Sequence, residues 1–283
     1  MPKVGRRKIP VTAVSSSAAG PSNSSTAHSS RTVIRAFHTL LKRQSHLRSQ
    51  PLTLETAATL QKTEDEIQTL GGLEVYQRMS SIGQGKDRGG GAEKVLLRWL
   101  RDRRMDKGKG KQRLLEVGAL KPDNYATAVA WLDVTPIDLH SRHPQILEQD
   151  FLAMSMEEHR GQWDVISLSL VVNFVPNPRD RGRMLSLAHA MLRTDGLLFV
   201  TLPLPCVMNS RYTTLDHMKS LMHTVGFSQL EERWKQGGKM AYWLYRKAEA
   251  ALPGDGRFDK RRVLMSGAHR NNFVILLSLP EAE

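Results

Sequence analysis

Cysteine is nearly absent from this 283-residue chain, where Cys206 stands alone. One thiol cannot close an internal disulfide, so a disulfide-stapled fold is excluded and a reducing compartment is expected. Long apolar runs are missing too. The longest, VISLSLVV (165–172) and FVILLSL (273–279), fall far short of the roughly 20 residues that span a bilayer. No apolar stretch follows the basic start PKVGRRK, so no secretory leader is expected. Ligand sets for a metal are lacking as well. His140 and His143 lie beside Pro144 with no cysteine or carboxylate set to complete a site, so no metal is expected. Internal repeats are absent. What remains is a soluble, intracellular chain, 40% hydrophobic, able to bury one sizeable core.

The charge that is present is segregated. Residues 1–113 hold 22 Lys+Arg against 9 Asp+Glu, giving +13, whereas residues 114–283 hold 19 against 19. The whole excess therefore lies in the first part of the chain. A basic block of this kind is an electrostatic footprint for a polyanion, with binding expected to weaken as salt rises. A solvated basic tail is the other reading, and nucleic acid is the one expected here.

Along the chain, residues 1–30 contain SSSAAGPSNSSTAHSS and almost nothing that can pack, so a disordered basic and Ser-rich tail is expected, with a patch suited to nuclear import. A helical basic region is expected over 31–111. Val33, Ile34, Phe37, Leu40, Leu41 and Leu47 have helical spacing, Pro51 ends that run, and a second helix is expected over 53–70, before Gly71 and Gly72. GLEVYQRMSSIGQ (72–84) reads as a short helix running into a loop, and the linker KDRGGGAEK precedes a basic amphipathic helix, VLLRWLRDRRM.

From residue 112 to 283 strands alternate with helices. LLEVGA, DVTPIDL, ILEQDFL, WDVISLSLVVNFV and GLLFVTLP are the expected parallel strands. NYATAVAWL is expected as the helix after the first. PNPRDRGRMLSLAHAMLR is expected after the fourth, with Pro178 in its first turn and Gly196 just past its end. SRYTTLDHMKSLMHTVG is expected after the fifth. MAYWLYRK and NNFVILLSL close the chain as an antiparallel edge hairpin. The fold class that follows is α/β, a doubly wound, mostly parallel sheet.

In such sheets ligands sit outside the carboxyl ends of the strands, where strand order reverses. Three acids fall there: Glu116, Asp138 and Asp150. Gly118 follows the first and lets backbone pass close to a ligand, while Asp138, twenty residues later, suits ribose hydroxyls. Asp150 suits an exocyclic amine with Phe151 against a ring; an acid before a core phenylalanine is the other reading. Glu116 serves either the ligand or its own loop's amides. The fourth strand is expected to end in SLVVNFVPN (169–177), which sets Asn173 and Phe174 at the mouth. An amide matches the donor and acceptor edge of a nucleobase, and an aromatic face stacks on one for about 1–3 kcal/mol. A cap before Pro176 and a core aromatic are the competing roles. Cys206 reads as a small core residue, and Arg211 and Tyr212 either touch the substrate or cap the next helix.

This succession resembles the Rossmann-like class I methyltransferases that use S-adenosyl-L-methionine. More closely, it resembles the fungal family of 25S ribosomal RNA adenine-N1 methyltransferases. The stretches that carry the likeness are FHTLLKRQ (37–44), YQRMSSIGQ (76–84), RGGGAEKVLLRWL (88–100), LLEVGALKPDNY (114–125), IDLHSRHPQILEQDFL (137–152), WDVISLSLVVNFVPNPRDRGRML (163–185) and LLFVTLPLPCVMNSRY (197–212). The resemblance implies cofactor contacts at Gly118 and Asp138, a large-subunit rRNA or pre-ribosome substrate, and a nucleolar location. It also reaches animal relatives that sense S-adenosylmethionine through protein partners, so a non-catalytic sensor is the alternative, with methylation of another RNA or of a protein as a further one. No membrane partner is expected, and a monomer is.

Overall fold

The computed structural model describes residues 23–72, 74–75, 91–108, 110–141, 143–248 and 256–277. The expected tail over 1–22, most of 72–84 and the linker glycines at 89–90 lie outside the described residues. Two helices come first, α1 (Asn23–Arg48) and α2 (Leu54–Thr69). α1 starts eight residues upstream of the expected boundary at 31. Its apolar stripe supplies the costly nucleus, and Ser, Thr and Ala then extend it at little extra cost. α2 starts where Thr53 and Thr56 exchange bonds, the Thr56 amide donating to Thr53 Oγ1 (3.1 Å) and the Thr53 amide to Thr56 Oγ1 (2.7 Å). Phe37 and Ile67 are buried between the two helices.

α3 (Ala92–Asp102) follows and leads into the sheet. Its strands are β1 (Gln112–Val117), β2 (Leu132–Asp138), β3 (Leu147–Glu148), β4 (Trp163–Ser169), β5 (Leu192–Pro203), β6 (Phe227–Arg233) and β7 (Met240–Lys247). Between them lie α4 (Met156–His159), α5 (Pro178–Met191), α6 (Pro205–Met208) and α7 (Leu215–Val225). The sheet runs β3-β2-β1-β4-β5-β7-β6, with β7 antiparallel to both neighbours and the other pairs parallel. Connections step one way from β1 and the other way from β4, so strand order reverses between these two neighbours.

The period-2 alternation of the strands divides the core between two layers. Leu115, Ile166, Leu198, Val200 and Trp243 face α5 and α7, and Leu114, Val165, Phe199 and Leu244 face α3. α3 contributes Val95, Leu96, Leu97, Trp99 and Leu100, all buried. Covering five buried apolar side chains at about 1.5–3 kcal/mol each is what holds this short basic helix to the sheet.

Several expected elements are corrected. NYATAVAWL forms no α-helix but a tight turn over Ala126–Ala128, because β2 already begins at Leu132 and leaves no room for three turns. The third strand is only Leu147–Glu148, since the Asp150 side chain accepts from the Leu152 amide (2.8 Å) and turns the chain into a short helical turn. β4 stops at Ser169, six residues early, where Leu170 takes a φ of 61°. Gly196 lies inside β5, which starts directly at the end of α5. Of NNFVILLSL, the described residues 271–277 do not join the sheet. The edge hairpin is β6–β7, and β6 was not among the expected strands because FSQLEER lacks the apolar density of its neighbours. The segment 273–277 packs on α5 instead: the Leu276 amide donates to Pro178 O (3.0 Å), and a Cβ on Gly182 would meet Leu276 O at 2.0 Å.

Candidate functional site

At the β1/β4 switch point the sequence ends β1 in a glycine because two constraints meet there. Gly118 has φ +76°, and a Cβ on it would sit 2.7 Å from Val171 Cγ2, in the loop after β4. The turn is tied down by the Gly118 and Ala119 amides, which both donate to Ile137 O (2.8 and 3.0 Å) at the end of β2. One short turn thus joins the ends of three strands.

Glu116 lies beneath this turn. Its Oε1 accepts from Asn124 Nδ2 (2.7 Å), which pins the 119–125 loop, while its buried Oε2 has no partner among the described residues. Burial pushes the Glu116 carboxyl up to about 7, the Asn124 bond opposing it. Its role as an anchor for its own loop, one of the two expected for it, is the one the geometry displays. Asp138 closes β2 half-buried, with Oδ1 accepting from the His140 amide (3.0 Å). Asp150 is exposed and caps the turn that follows it. Phe151 is 3% exposed and belongs to the core cluster with Val117 and Ile137, so its packing role is the evident one.

Asn173 and Phe174 sit not on a strand but in a turn beyond β4, closed by the Phe174 amide donating to Val171 O (2.8 Å). The positive φ at Leu170 swings this turn out of the sheet plane and over the switch point. Asn173 Oδ1 is buried without a partner among the described residues. Left unmade, such a bond costs about 1–3 kcal/mol, so the atom is suited to a ligand donor. Gly118 and Asn173 are therefore brought together through Val171, Asp138 is adjacent through Ile137, and Asp150 lies one residue beyond Gln149, whose amide donates to Asp138 O.

Three side chains escaped sequence reasoning. His38, on α1, meets the Phe174 ring edge to face at 4.5 Å and 88°. Burial, then the charges of Lys42 and Arg181, lower its pKa to about 4, so the imidazole is neutral near pH 7. Arg181 is a buried guanidinium with no carboxylate beside it among the described residues. Its Nε donates to Val175 O (2.7 Å), Nη2 to Pro176 O (3.3 Å) and Nη1 to Val274 O (2.7 Å), and it lies over the Phe273 ring at 4.8 Å. Lys42 completes the group, with its pKa lowered by burial and by Arg181. The signal for His38 was its place in the apolar stripe of α1; Arg181, in the charge-rich run RDRGR, gave none. Cys206 is held near these cations with its thiol pushed up to about 12 by burial, and is no nucleophile at neutral pH. Arg211 caps nothing: its guanidinium donates to Arg270 O (2.8 Å), Asn272 Oδ1 (2.6 Å) and Gly267 O (3.1 Å), fastening the 264–272 loop.

Comparison with known proteins gives a consistent picture. Residues 61–275 match the family model described as "25S rRNA (adenine(2142)-N(1))-methyltransferase, Bmt2". The chain is 35% identical over 255 residues to the 25S rRNA adenine-N(1) methyltransferase of Schizosaccharomyces pombe, covering 86% of this chain and 89% of that one. It is 34% identical over 243 residues to the 25S rRNA (adenine(2142)-N(1))-methyltransferase of Saccharomyces cerevisiae, covering 85% of this chain and 70% of that one. Among solved structures, the 1,6-didemethyltoxoflavin-N1-methyltransferase of Burkholderia thailandensis aligns with 71% of this chain and 93% of its own at 16% identity and a TM-score of 0.48.

Proposed function

The chain belongs to the 25S rRNA (adenine-N1)-methyltransferase family, and on that premise we propose that it transfers a methyl group from S-adenosyl-L-methionine to N1 of an adenine in large-subunit rRNA. The observation that carries this reading is the reach of the likeness. The match over 61–275 runs through α3, β1, the turn at Gly118, the loop at Asn173 and Arg181, so it includes the strand ends and loops of the crevice.

The crevice fits the methyl donor. The place of a Cβ at Gly118 is already filled by Val171, so the turn presents bare backbone to the amino-acid part. Glu116 Oε2 is a buried acceptor awaiting a donor nearby. Asp138 would hold the ribose hydroxyls and Asp150 the adenine amine, with Phe151 as the apolar floor beneath. The bound cofactor supplies an electrophilic methyl group; the protein supplies the rest. Adenine N1 carries a lone pair at neutral pH, so no base is needed to deprotonate it. The task is to orient N1 in line, strip it of water and hold it there. The Asn173 amide would engage the Watson–Crick edge and Phe174 the ring, and His38 fixes the Phe174 ring from α1. Because N1 is hidden in a base pair, the target is an unpaired or flipped adenine. The basic excess of the first 113 residues suits the same substrate, and the site of action would be the nucleolus, with the chain acting as a monomer on the pre-ribosome.

N1-methyladenosine blocks Watson–Crick pairing, so it halts reverse transcription. Deleting the gene is expected to remove one such stop in large-subunit rRNA, and Asn173→Ala is expected not to restore it although the variant still binds S-adenosylmethionine in a calorimetric titration. An unchanged stop profile on deletion rules the activity out. Full activity of Asn173→Ala removes that residue from the mechanism.

A further inference from the structure

The segment 256–277 crosses the ligand side of the sheet without joining it. It is fastened to the residues after β5 by Arg211 and by the Ser210–Asn271 bridge, and to the start of α5 by the bond from Leu276 to Pro178. Arg181 then couples it to the loop after β4 that carries Asn173 and Phe174 (170–177, the target loop), since one guanidinium serves both Val175 and Pro176 in that loop and Val274 in this segment. The segment therefore has a fixed position beside Asn173 and Phe174.

Its composition is unlike the rest of the neutral part of the chain. Over 256–277 there are five Lys+Arg and one acid, Asp259. Lys260, Arg261 and Arg262 are exposed, and none has an ion pair or hydrogen bond among the described residues. Val263, Leu264 and Met265 follow directly, 65%, 41% and 39% exposed. A merely solvated turn has no use for three consecutive exposed apolar side chains. Lys42 of α1 is coupled to Arg181 as well, likewise without a carboxylate partner among the described residues, and Arg261 is near enough to Arg181 for its charge to be felt there. Unpaired cations from α1 and from this segment are thus both felt at Arg181, the residue that holds the target loop.

We propose that Lys260–Met265 is a docking surface for the RNA strand flanking the target adenine, with the three cations on phosphates and the apolar trio against unpaired bases and sugars. An RNA strand is the occupant because it alone offers a dense row of anions interleaved with stacking faces at this place, next to where the base must enter. The inference rests on the rRNA reading above and locates the contact in the part of the chain whose net charge is zero.

The test is equilibrium binding of the full chain to an rRNA fragment bearing the target, measured across a salt series, together with steady-state methylation. The triple variant Lys260→Glu, Arg261→Glu, Arg262→Glu is expected to bind at least about tenfold more weakly. Its log–log salt slope should be shallower by roughly 2, at about 0.7 per phosphate lost. KM for RNA should rise while kcat and S-adenosylmethionine affinity stay as in wild type. The charge-preserving triple Lys260→Arg, Arg261→Lys, Arg262→Lys should bind like wild type, which separates charge from folding. Unchanged affinity and slope in the charge-reversed protein, alongside a wild type that methylates the fragment, overturns the inference and leaves the function intact. So does loss of an acidic protein contact with RNA binding unaltered. A wild type that neither binds nor methylates the fragment overturns the function itself.

Discussion

In the α1–α2 hairpin, Arg48 pairs with Glu64 at 2.8 Å and Arg43 with Glu66 at 3.7 Å, and Gln44 adds a bond to Glu64. In the 256–277 segment, Lys260, Arg261 and Arg262 have no such partners, and the carbonyls of their loop are taken by Arg211. The first region lies in the strongly basic part of the chain and spends two of its cations, Arg43 and Arg48, on internal pairs; the second lies in the neutral part and keeps three consecutive cations open, while Arg270 donates to Ser266 O. Net charge per segment therefore says where cations are abundant, not where they are available. Availability is set by which acids the fold brings alongside, and that is a property of packing.

Arg181 is the place where the two regions meet, and breaking it is expected to have the largest effect. Arg181→Met leaves Val175 O, Pro176 O and Val274 O without their donor, which should cost about 3–5 kcal/mol in urea unfolding. Removing its charge should also let the His38 pKa climb from about 4 part of the way toward 6.5; burial, the larger cause, persists. A histidine proton titration followed by NMR reads that coupling directly. A His38 pKa that does not move would mean the hairpin and the target loop are electrostatically separate, and the comparison would lose its hinge.

Arg211→Ala should come next. It removes the donors to Gly267 O, Arg270 O and Asn272 Oδ1 while leaving all exposed cations of the segment in place. If fixed placement of those cations matters as well as their number, RNA affinity should fall about fivefold, near 1 kcal/mol, with the salt slope little changed. Wild-type affinity would show that the segment acts as a flexible basic strand.

The parts of this molecule that were legible in its sequence are those governed by local rules. The α/β class followed from alternating periodicities, and MAYWLYRK gave β7 at Met240–Lys247 because its pattern is strongly β-like. Gly118 was legible because only glycine tolerates both its φ and its neighbour. What sequence did not reveal depends on contacts far apart along the chain. FVILL reads as a strand by composition, yet it is drawn onto α5 by Gly182 and held by Arg181, more than 90 residues upstream of Val274 (|i−j| = 93). Asn173 was found, but in a turn rather than on a strand, since nothing in SLVVNF announces the left-handed Leu170. His38 belonged to a helix read for its apolar stripe and its basic charge, and its partner Phe174 lies far along the chain.

The smallest effect should come from freeing the paired cations of the hairpin, and its sign is what matters. Glu64 accepts from both Gln44 and Arg48, and those two bonds, in that order, lower its pKa, so it is ionised throughout the neutral range and neutralises Arg48 there. Glu64→Gln with Glu66→Gln removes two acids from an exposed surface and should leave the unfolding midpoint almost unchanged, because exposed pairs contribute little. RNA binding should then tighten slightly, with a salt slope steeper by up to about 1.4 as Arg43 and Arg48 become available to phosphates. That gain should persist in the Lys260→Glu, Arg261→Glu, Arg262→Glu background, since the hairpin and the C-terminal segment would meet different phosphates and their effects should add. Affinity unchanged by the two glutamines would mean that the hairpin faces away from the RNA, and that the cations which meet it are those left open beside the target loop.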